Sequence, residues 1–266
     1  MKMFIIFAIP CVVGILIFVF SFVLRGNKSK KFVEPTDAEV QFQLGTCYDK
    51  GLGVKQDFCE AAKWYRKAAE QGHAEAQYNL GVAYHYGQGA PQDDVEAVKW
   101  YRKAAEQGVL DAQYNLGLSY ANGEGVEQSY EEALKIFRKL AEKGHVEAIC
   151  SLGTHYEYGM GVSQNYDESA EWYRKAAELG HAVAQFNLGV YYEHHDKPKN
   201  MTEAVKWYQK AAEQGEMHAQ FNLACCYLKG DGVPENLDEA DKYFRLSASQ
   251  GYPQAVELVE ELDAEE

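Results

Sequence analysis

Basic residues are scarce over most of this chain of 266 residues. Five of its 26 lysines and arginines lie in residues 1–31, which hold no acidic residue, so the rest of the chain sets 21 basic residues against 40 acidic ones. A protein that binds nucleic acid needs a basic face to neutralise phosphates. The acidic body therefore excludes DNA and RNA as partners. It is typical of a well-solvated helical surface, with selection of basic protein partners as the alternative.

The six cysteines lack the spacing of a metal site or a disulfide framework. No CxxC motif occurs, which removes the usual signature of a zinc site. Disulfides in a repeat protein would recur once per repeat, and these cysteines do not follow the period described below. We therefore expect free thiols, which favour a reducing compartment. The cysteines are Cys11, Cys47, Cys59, Cys150, Cys225 and Cys226.

Catalytic and cofactor motifs are missing as well. Several Gly-x-Gly turns occur, but no Gly-Lys-Ser/Thr follows them and no hydrophobic strand precedes them, which argues against a phosphate-binding loop. Ser151 and His155 lie on one predicted helix, yet both occupy positions of the internal repeat and so do not indicate a hydrolase. We expect no enzymatic activity, no cofactor and no metal site.

One long hydrophobic run is present at residues 4–24, with 21 residues and no charge. A helix of this length spans about 30 Å, the thickness of the bilayer hydrocarbon. The run is longer than the apolar part of a signal peptide and ends without an A-x-A cleavage site. We predict a short N-terminus at 1–3, an uncleaved single-pass transmembrane anchor at 4–24 and a basic juxtamembrane linker at 25–36.

The charges beside the run predict its orientation. Four basic residues follow it, and the positive-inside rule then favours a cytoplasmic repeat body over an outward-facing one. An outward-facing body that acts in envelope assembly or host-cell contact is the alternative.

The rest of the chain is dominated by an internal repeat. The stretch WYRKAAE begins at Trp64, Trp100 and Trp172, and degenerate copies keep steps of 35 or 36 residues. Such a period indicates an array of one supersecondary unit that buries its core against its neighbours. The units are 37–72, 73–108, 109–144, 145–180, 181–215 and 216–251, followed by a capping helix and acidic tail at 252–266.

Each unit contains two predicted helices. The first reads A-x-x-x-L-G-x-x-Y, which places its apolar residues on one helical face. Glycine inside a helix costs about 1 kcal/mol relative to alanine. The recurrence of glycine at Gly81 and its equivalents therefore predicts close approach of a neighbouring helix, with the tyrosine of the same pattern packed over the gap. His73, His145 and His181 recur where first helices begin, and we interpret them as structural.

The second helix of each unit has a clear start signal. A residue of the N-cap type is followed three positions later by glutamate, which predicts a capping box in every unit. The Trp-Tyr pair and the alanines of WYRKAAE then predict large-against-small packing between units. The predicted N-cap residues are Asp57, Asp93, Ser129, Asn165, Asn200 and Asn236.

These patterns resemble the Sel-one-like repeat (SLR) family, a relative of the tetratricopeptide repeats. The resemblance covers about 37–251 and implies an all-α, right-handed superhelical solenoid. It would consist of six antiparallel helix pairs and a C-terminal capping helix, with first helices on the concave side and the transmembrane helix separate. Family members are adaptors and scaffolds rather than enzymes. The resemblance therefore implies a protein or peptide partner.

The first helices also carry the candidate partner-binding residues. In related tetratricopeptide domains, an asparagine at the matching place hydrogen-bonds a bound peptide backbone, since an amide both donates and accepts. Local packing is the alternative for this column. The neighbouring Tyr78 and Tyr114 are either aromatic anchors or buried against a second helix. The asparagines are Asn79, Asn115, Asn187 and Asn222, with Gln43 and Ser151 in the other two units.

The last turn of the first helices varies most between units. Variation inside a regular repeat favours a role in specificity, and we assign that role to Tyr86, Glu157 and Tyr158. The turn at 194–198 in the fifth unit has lost one residue and both glycines. Its adjacent histidines lack the spacing of a strong metal site. We therefore interpret this turn as a tolerated loop change that slightly alters superhelical curvature.

Overall fold

The computed structural model describes residues 34–265 of the chain. The predicted anchor at 4–24, and all but three residues of the predicted linker at 25–36, lie outside the described residues. Within residues 34–265 the chain forms 13 helices and no strand, which confirms the predicted all-α class for this part. None of the described helices has both the length and the apolar character needed to cross a membrane.

The helices divide into two compact units, one ending at Ser129 and the other beginning at Tyr130. Within each unit every helix packs against the helices before and after it, as expected for a repeat array. The N-unit contains α1 (Ala38–Lys50), α2 (Phe58–Glu70), α3 (Ala74–Tyr86), α4 (Asp94–Glu106) and α5 (Leu110–Asn122). The C-unit contains α6 (Tyr130–Glu142), α7 (Val146–Tyr158), α8 (Tyr166–Glu178), α9 (Ala182–His194), α10 (Met201–Glu213), α11 (Met217–Lys229), α12 (Leu237–Ser249) and α13 (Pro253–Glu265).

We call α1, α3, α5, α7, α9 and α11 the first helices, and α2, α4, α6, α8, α10 and α12 the second helices. The glycine inside a first helix is held close to the second helix of its repeat. A Cβ added at Gly81 would lie 2.6 Å from two ring carbons of Tyr101 on α4, well inside van der Waals contact. The predicted close approach is confirmed, but the tyrosine over the gap is Tyr101 of the WYRKAAE segment and not the tyrosine of the first-helix pattern.

The second glycine of the Gly-x-Gly turn allows a different close approach. Gly89 has a φ of +78°, and a Cβ there would lie 1.9 Å from the backbone oxygen of Phe58 at the start of α2. The turn between the two helices of one repeat therefore rests on the backbone of the second helix in the repeat before it. Only glycine meets both demands, because other residues strain at positive φ and their Cβ would overlap the carbonyl.

Each residue of the WYRK segment has its own packing role. In α4 the Lys103 ammonium lies 3.9 Å from the centre of the Trp100 ring, a cation–π distance. Tyr101 covers the glycine of α3, and Arg102 donates a 3.0 Å hydrogen bond to the Tyr120 hydroxyl of the next first helix. The segment is therefore near-identical between repeats because all four side chains hold the stack together.

The second helices begin with only half of the predicted capping box. The Asp93 carboxylate accepts from the N–H of Glu96 at 3.0 Å, as predicted. The backbone N–H of Asp93 donates to the Tyr84 carbonyl, however, and the Glu96 carboxylate pairs with Lys99 at 2.5 Å. The predicted bond from glutamate back to the cap N–H is wrong here, since the preceding helix already satisfies that N–H. The cap-to-glutamate bond recurs at Asp57, Asn165, Asn200 and Asn236.

Pairs of glutamine amides, which the sequence pattern did not reveal, join the two helices of a repeat, and one member of the pair also bonds to the preceding repeat. Gln107, at the end of α4, donates to the side-chain oxygen of Gln77 at 2.7 Å. Gln77 is buried, and its own NH₂ group donates to the Ala69 carbonyl at the end of α2. One amide thus joins two repeats, and each such bond stabilises by about 1 kcal/mol. Equivalent glutamine pairs are Gln41–Gln71, Gln185–Gln214 and Gln220–Gln250.

The recurring histidines cap the first helices. The Nδ1 atom of His181 accepts a hydrogen bond from the N–H of Ala184 at 3.2 Å, and His73 and His145 make the same bond. Their structural interpretation is confirmed. A nitrogen that accepts this bond carries no proton, so protonation of Nδ1 would remove the cap. Burial lowers the pKa of His181 below its ordinary value, against a smaller opposing effect of the Glu147 charge.

The glycine contacts predict the cost of adding one methyl group. Gly89→Ala and Gly108→Ala both place alanine at positive φ, but Gly108 has no atom within 4 Å of its added Cβ. We expect Gly108→Ala to cost about 1–2 kcal/mol of stability. Gly89→Ala should cost roughly 1–3 kcal/mol more, because it also overlaps the Phe58 carbonyl. Thermal unfolding of both variants measures the difference, and equal midpoints would contradict the packing argument.

The histidine caps predict that the protein loses stability in acid. Because the pKa of folded His181 lies below its unfolded value, the unfolded chain binds more protons as the pH falls below about 6.5. Stability is therefore present at pH 7 and lost towards pH 5. His181→Asn keeps a side-chain acceptor at the N-cap without titrating. We expect its thermal midpoint to fall less over this range; a slope as steep as that of the wild type would refute the assignment.

Candidate functional site

The predicted partner-binding residues lie on the first helices, in positions that differ in exposure. The four asparagines, Tyr78, Tyr114 and Glu157 are half-buried. Tyr86 and Tyr158, at the last turns of α3 and α7, are 64% and 65% exposed and are the most exposed large hydrophobic side chains among the described residues. The surface therefore combines a half-buried polar row with projecting tyrosines at the ends of two helices.

The asparagine column lies beside tyrosine hydroxyls of the second helices. The Asn79 amide lies next to the Tyr65 hydroxyl, and Asn222 lies next to Tyr208 in the same way. Burial is the main cause that raises the pKa of Tyr65 to about 12, so its hydroxyl stays protonated and can donate. Sequence reasoning missed these hydroxyls, although the regular offset between the two columns could have revealed them.

Tyr78 packs against a second helix, which is the alternative to its being an aromatic anchor for a partner. Its ring centre lies 6.2 Å from that of Tyr101, with the planes tilted by 37°. Phe42 and Phe186 pack in the same way against Tyr65 and Tyr208. These aromatic rings support the second helices. They leave less of their surface for a partner than Tyr86 and Tyr158 do.

Glu157 has an internal partner that the sequence did not reveal. Its Oε2 accepts a 2.6 Å hydrogen bond from the Tyr173 hydroxyl. Glu193, one repeat later, accepts a 2.7 Å bond from the Tyr208 hydroxyl. The last turn of the first helix therefore satisfies the buried tyrosine of the second helix in these two repeats. Glu157 serves the fold whether or not it also contacts a partner.

The last turns of the first helices make different contacts in the N-unit. His85 occupies the matching place in α3, and its Nδ1 lies 2.8 Å from the Asp94 carboxylate rather than beside Tyr101. Asp49 occupies the place in α1 and borders a cavity of about 60 Å³ that Tyr65 and Asn79 also line. The row of tyrosine hydroxyls is thus covered by glutamate in the C-unit and left more open in the N-unit.

The irregular turn of the fifth repeat forms a separate cleft in the C-unit. His195 stacks on the ring of Tyr166 with centres 3.7 Å apart, and Tyr191 donates a 2.7 Å hydrogen bond to Asp167. Together with residues 194–197 these side chains line a polar cleft of about 560 Å³. Within residues 34–265 no group of three or more histidine, cysteine, aspartate or glutamate side chains is placed to hold a metal ion.

Known proteins share this arrangement of helix pairs. A family model described as Sel1 repeat matches six segments of the chain: 38–73, 74–109, 110–145, 146–181, 182–216 and 218–252. The solved structure of a Sel1 repeat protein from Oxalobacter formigenes is 33% identical with a TM-score of 0.75, over 89% of this chain and 95% of that chain.

Two further relatives match over part of their length. A protective antigen present in uropathogenic Escherichia coli strains, whose structure displays an SLR fold, is 39% identical with a TM-score of 0.74. The match covers 83% of this chain and 47% of that one, so this chain spans about half of the antigen's length. DAP3-binding cell death enhancer 1 of Rattus norvegicus is 50% identical over 36 residues, 14% of this chain and 7% of that protein.

Proposed function

The chain belongs to the Sel1 repeat family, and from this premise we propose that it is a protein-binding scaffold that holds a partner on its first helices close to a membrane. The observation that carries the proposal is the difference in contacts between the two helices of each repeat. The second helices are occupied by internal contacts, whereas the first helices present polar groups and exposed tyrosines that differ between repeats.

The contacts of WYRKAAE support this difference between the first and second helices. Lysine covers tryptophan, tyrosine covers glycine and arginine reaches the next repeat, so these side chains already have internal partners. A recognition surface needs side chains that vary and that contact solvent. Tyr86 and Tyr158 meet both requirements, because they are exposed and the matching residues in the other repeats are Lys50, Asn122, His194 and Lys229.

The chemistry of the first helices fits an extended peptide segment. The amides of Asn79, Asn115, Asn187 and Asn222 are the proposed contacts to its backbone, since each can donate and accept a hydrogen bond. Tyr86 and Tyr158 are the proposed anchors, because rigid aromatic side chains contribute much contact area at low entropic cost. Tyr78, Tyr114 and Glu157 would contribute the half-buried remainder of this surface.

The membrane attachment is a proposal from the sequence. The 21 uncharged residues at 4–24 are long enough to span a bilayer, and the basic residues that follow favour a cytoplasmic body. An anchor would raise the effective concentration of a bound partner at the membrane surface without any additional contact.

The exposed tyrosines give a direct test of partner binding. Tyr158→Ala should lower recovery of crosslinked partners from membranes about tenfold, the change expected when an anchor worth about 1.4 kcal/mol is lost. The matched control is Leu179→Ala, which removes a similarly exposed apolar side chain just after a second helix. Its recovery should equal that of the wild type. Equal recovery with Tyr158→Ala, in a variant that remains folded, would refute the proposed surface.

Charges placed within the hydrophobic run test the anchor. Val13→Arg together with Ile17→Arg should move the protein from the carbonate-washed membrane pellet to the supernatant, since each central arginine costs about 2.5–3.5 kcal/mol in a spanning helix. Val13→Leu with Ile17→Leu is the control and should stay in the pellet. Wild-type protein in the supernatant would contradict the anchor. It would not bear on the proposed partner surface.

A second candidate function is that of an outward-facing repeat protein in envelope assembly or host-cell contact. The observation that favours it is the 39% identity to a protective antigen of uropathogenic Escherichia coli strains. Trypsin added to intact cells separates the two orientations, because only an outward-facing body would be digested.

A further inference from the structure

The last turn of each first helix faces the tyrosine of WYRKAAE, and this position is filled differently along the array. In the fourth and fifth repeats a glutamate extends to the tyrosine hydroxyl and accepts its hydrogen bond, Glu157 from Tyr173 and Glu193 from Tyr208. A carboxylate with two methylenes in its side chain therefore reaches the hydroxyl and closes the position.

The first repeat has aspartate at this place, with one methylene fewer. The Asp49 carboxylate forms no ion pair with any described residue, and the cavity of about 60 Å³ lies beside it. The polar lining comes from Asp49, Tyr65, Asn79 and Gln88, and the apolar lining includes Ala62 and Val82. The pocket thus opens where the longer glutamate would stand.

The electrostatics of the pocket favour a cation. Asp49 lies in the last turn of α1, where the helix dipole adds negative potential to that of the carboxylate. The Asp49 charge is also among the causes that raise the pKa of Tyr65, after the larger effect of burial. Tyr65 and Asn79 both offer oxygen acceptors. An incoming group with several N–H donors and a positive charge would satisfy all three side chains.

The second repeat also leaves the hydroxyl of its WYRKAAE tyrosine without glutamate. His85 pairs with Asp94. The Tyr101 hydroxyl then has no hydrogen-bond partner of ordinary geometry among the described residues, although Asn115 lies near it and Tyr101 is only 2% exposed. Buried hydroxyls are nearly always paired. The fourth and fifth repeats thus cover this tyrosine hydroxyl with glutamate, whereas no glutamate among the described residues reaches Tyr65 or Tyr101 in the N-unit, and the Tyr101 hydroxyl is left unpaired there.

We propose that the Asp49 pocket of the N-unit binds the ammonium end of a lysine side chain from the protein partner. This inference rests on the proposed function, because it assigns one partner side chain to the same surface. The cavity of about 60 Å³ is several times the roughly 10–15 Å³ that one water molecule requires on the same measure, so it admits an ammonium group and its neighbouring methylene. The ammonium directs N–H donors from one atom in several directions, which suits several separate acceptors, whereas the donors of arginine's guanidinium all lie in one plane.

The test uses n-butylammonium, which has the same non-hydrogen atoms as the lysine side chain, and the uncharged n-butanol as its isosteric control. Both are titrated into the full chain while the methyl signals of Ala62 and Val82 are followed by NMR. We expect saturable shifts at these methyl groups with n-butylammonium, and at least tenfold weaker binding of n-butanol. The absence of saturable shifts, or equal binding of the two compounds, would overturn the proposal.

Two substitutions at Asp49 separate a shaped pocket from general attraction to an acidic surface. Asp49→Asn should abolish the preference for n-butylammonium because it removes the charge. Asp49→Glu keeps the charge but should reach Tyr65 as Glu157 reaches Tyr173, close the pocket and weaken binding at least tenfold. Unchanged binding by Asp49→Glu would overturn the pocket. Neither result affects the Tyr158→Ala recovery experiment, so the two proposals fail independently.

Discussion

The tyrosine ring that lies over the first-helix glycine is the contact on which the rest of each repeat depends. At Gly81 the ring of Tyr101 occupies the space in which any side chain would stand, so the second helix can take this position only because the residue is glycine. In the same segment the next arginine reaches the following repeat, and Ala104 is fully buried. A larger residue at the glycine would shift all of these contacts together.

The same contact buries a tyrosine hydroxyl that needs a hydrogen-bond partner, and that partner differs between repeats. A tyrosine packed this deeply brings its hydroxyl into the half-buried surface between first helices, where an unpaired group is costly. Glu157 and Glu193 accept a hydrogen bond from the hydroxyl in their own repeats. Asn79 lies beside the hydroxyl of Tyr65. A constant structural element therefore produces a surface whose chemistry differs from repeat to repeat, which is the condition for selective recognition.

Much of this architecture was predictable because its causes are local or periodic. The N-caps at Asp57 and Asp93, the glycine close approach and the structural histidines follow from residue types at fixed offsets, and the structure confirms them. The capping-box glutamate was predicted wrongly in one respect. The N–H of Asp93 is satisfied by the Tyr84 carbonyl, and that partner depends on how the turn folds back rather than on local sequence.

The candidate site was less predictable, since its chemistry depends on contacts between helices. The amide pair of Gln77 and Gln107 spans 30 residues, and neither residue has an unusual local pattern. Glu157 was assigned to recognition because it varies between repeats, yet its carboxylate is bound to Tyr173. Variation alone did not distinguish a residue that contacts a partner from one that compensates for its own repeat.

The difference between Asp49 and Glu157 shows how little sequence change that distinction requires. One methylene decides whether a carboxylate reaches the buried tyrosine or stops beside an open cavity. Because the surrounding helices are held by contacts that do not involve this residue, the exchange can alter the surface while the stack remains intact. Repeat arrays can therefore acquire a new subsite through a single conservative substitution at the last turn of a first helix, and the tightly packed second helices are what make this possible.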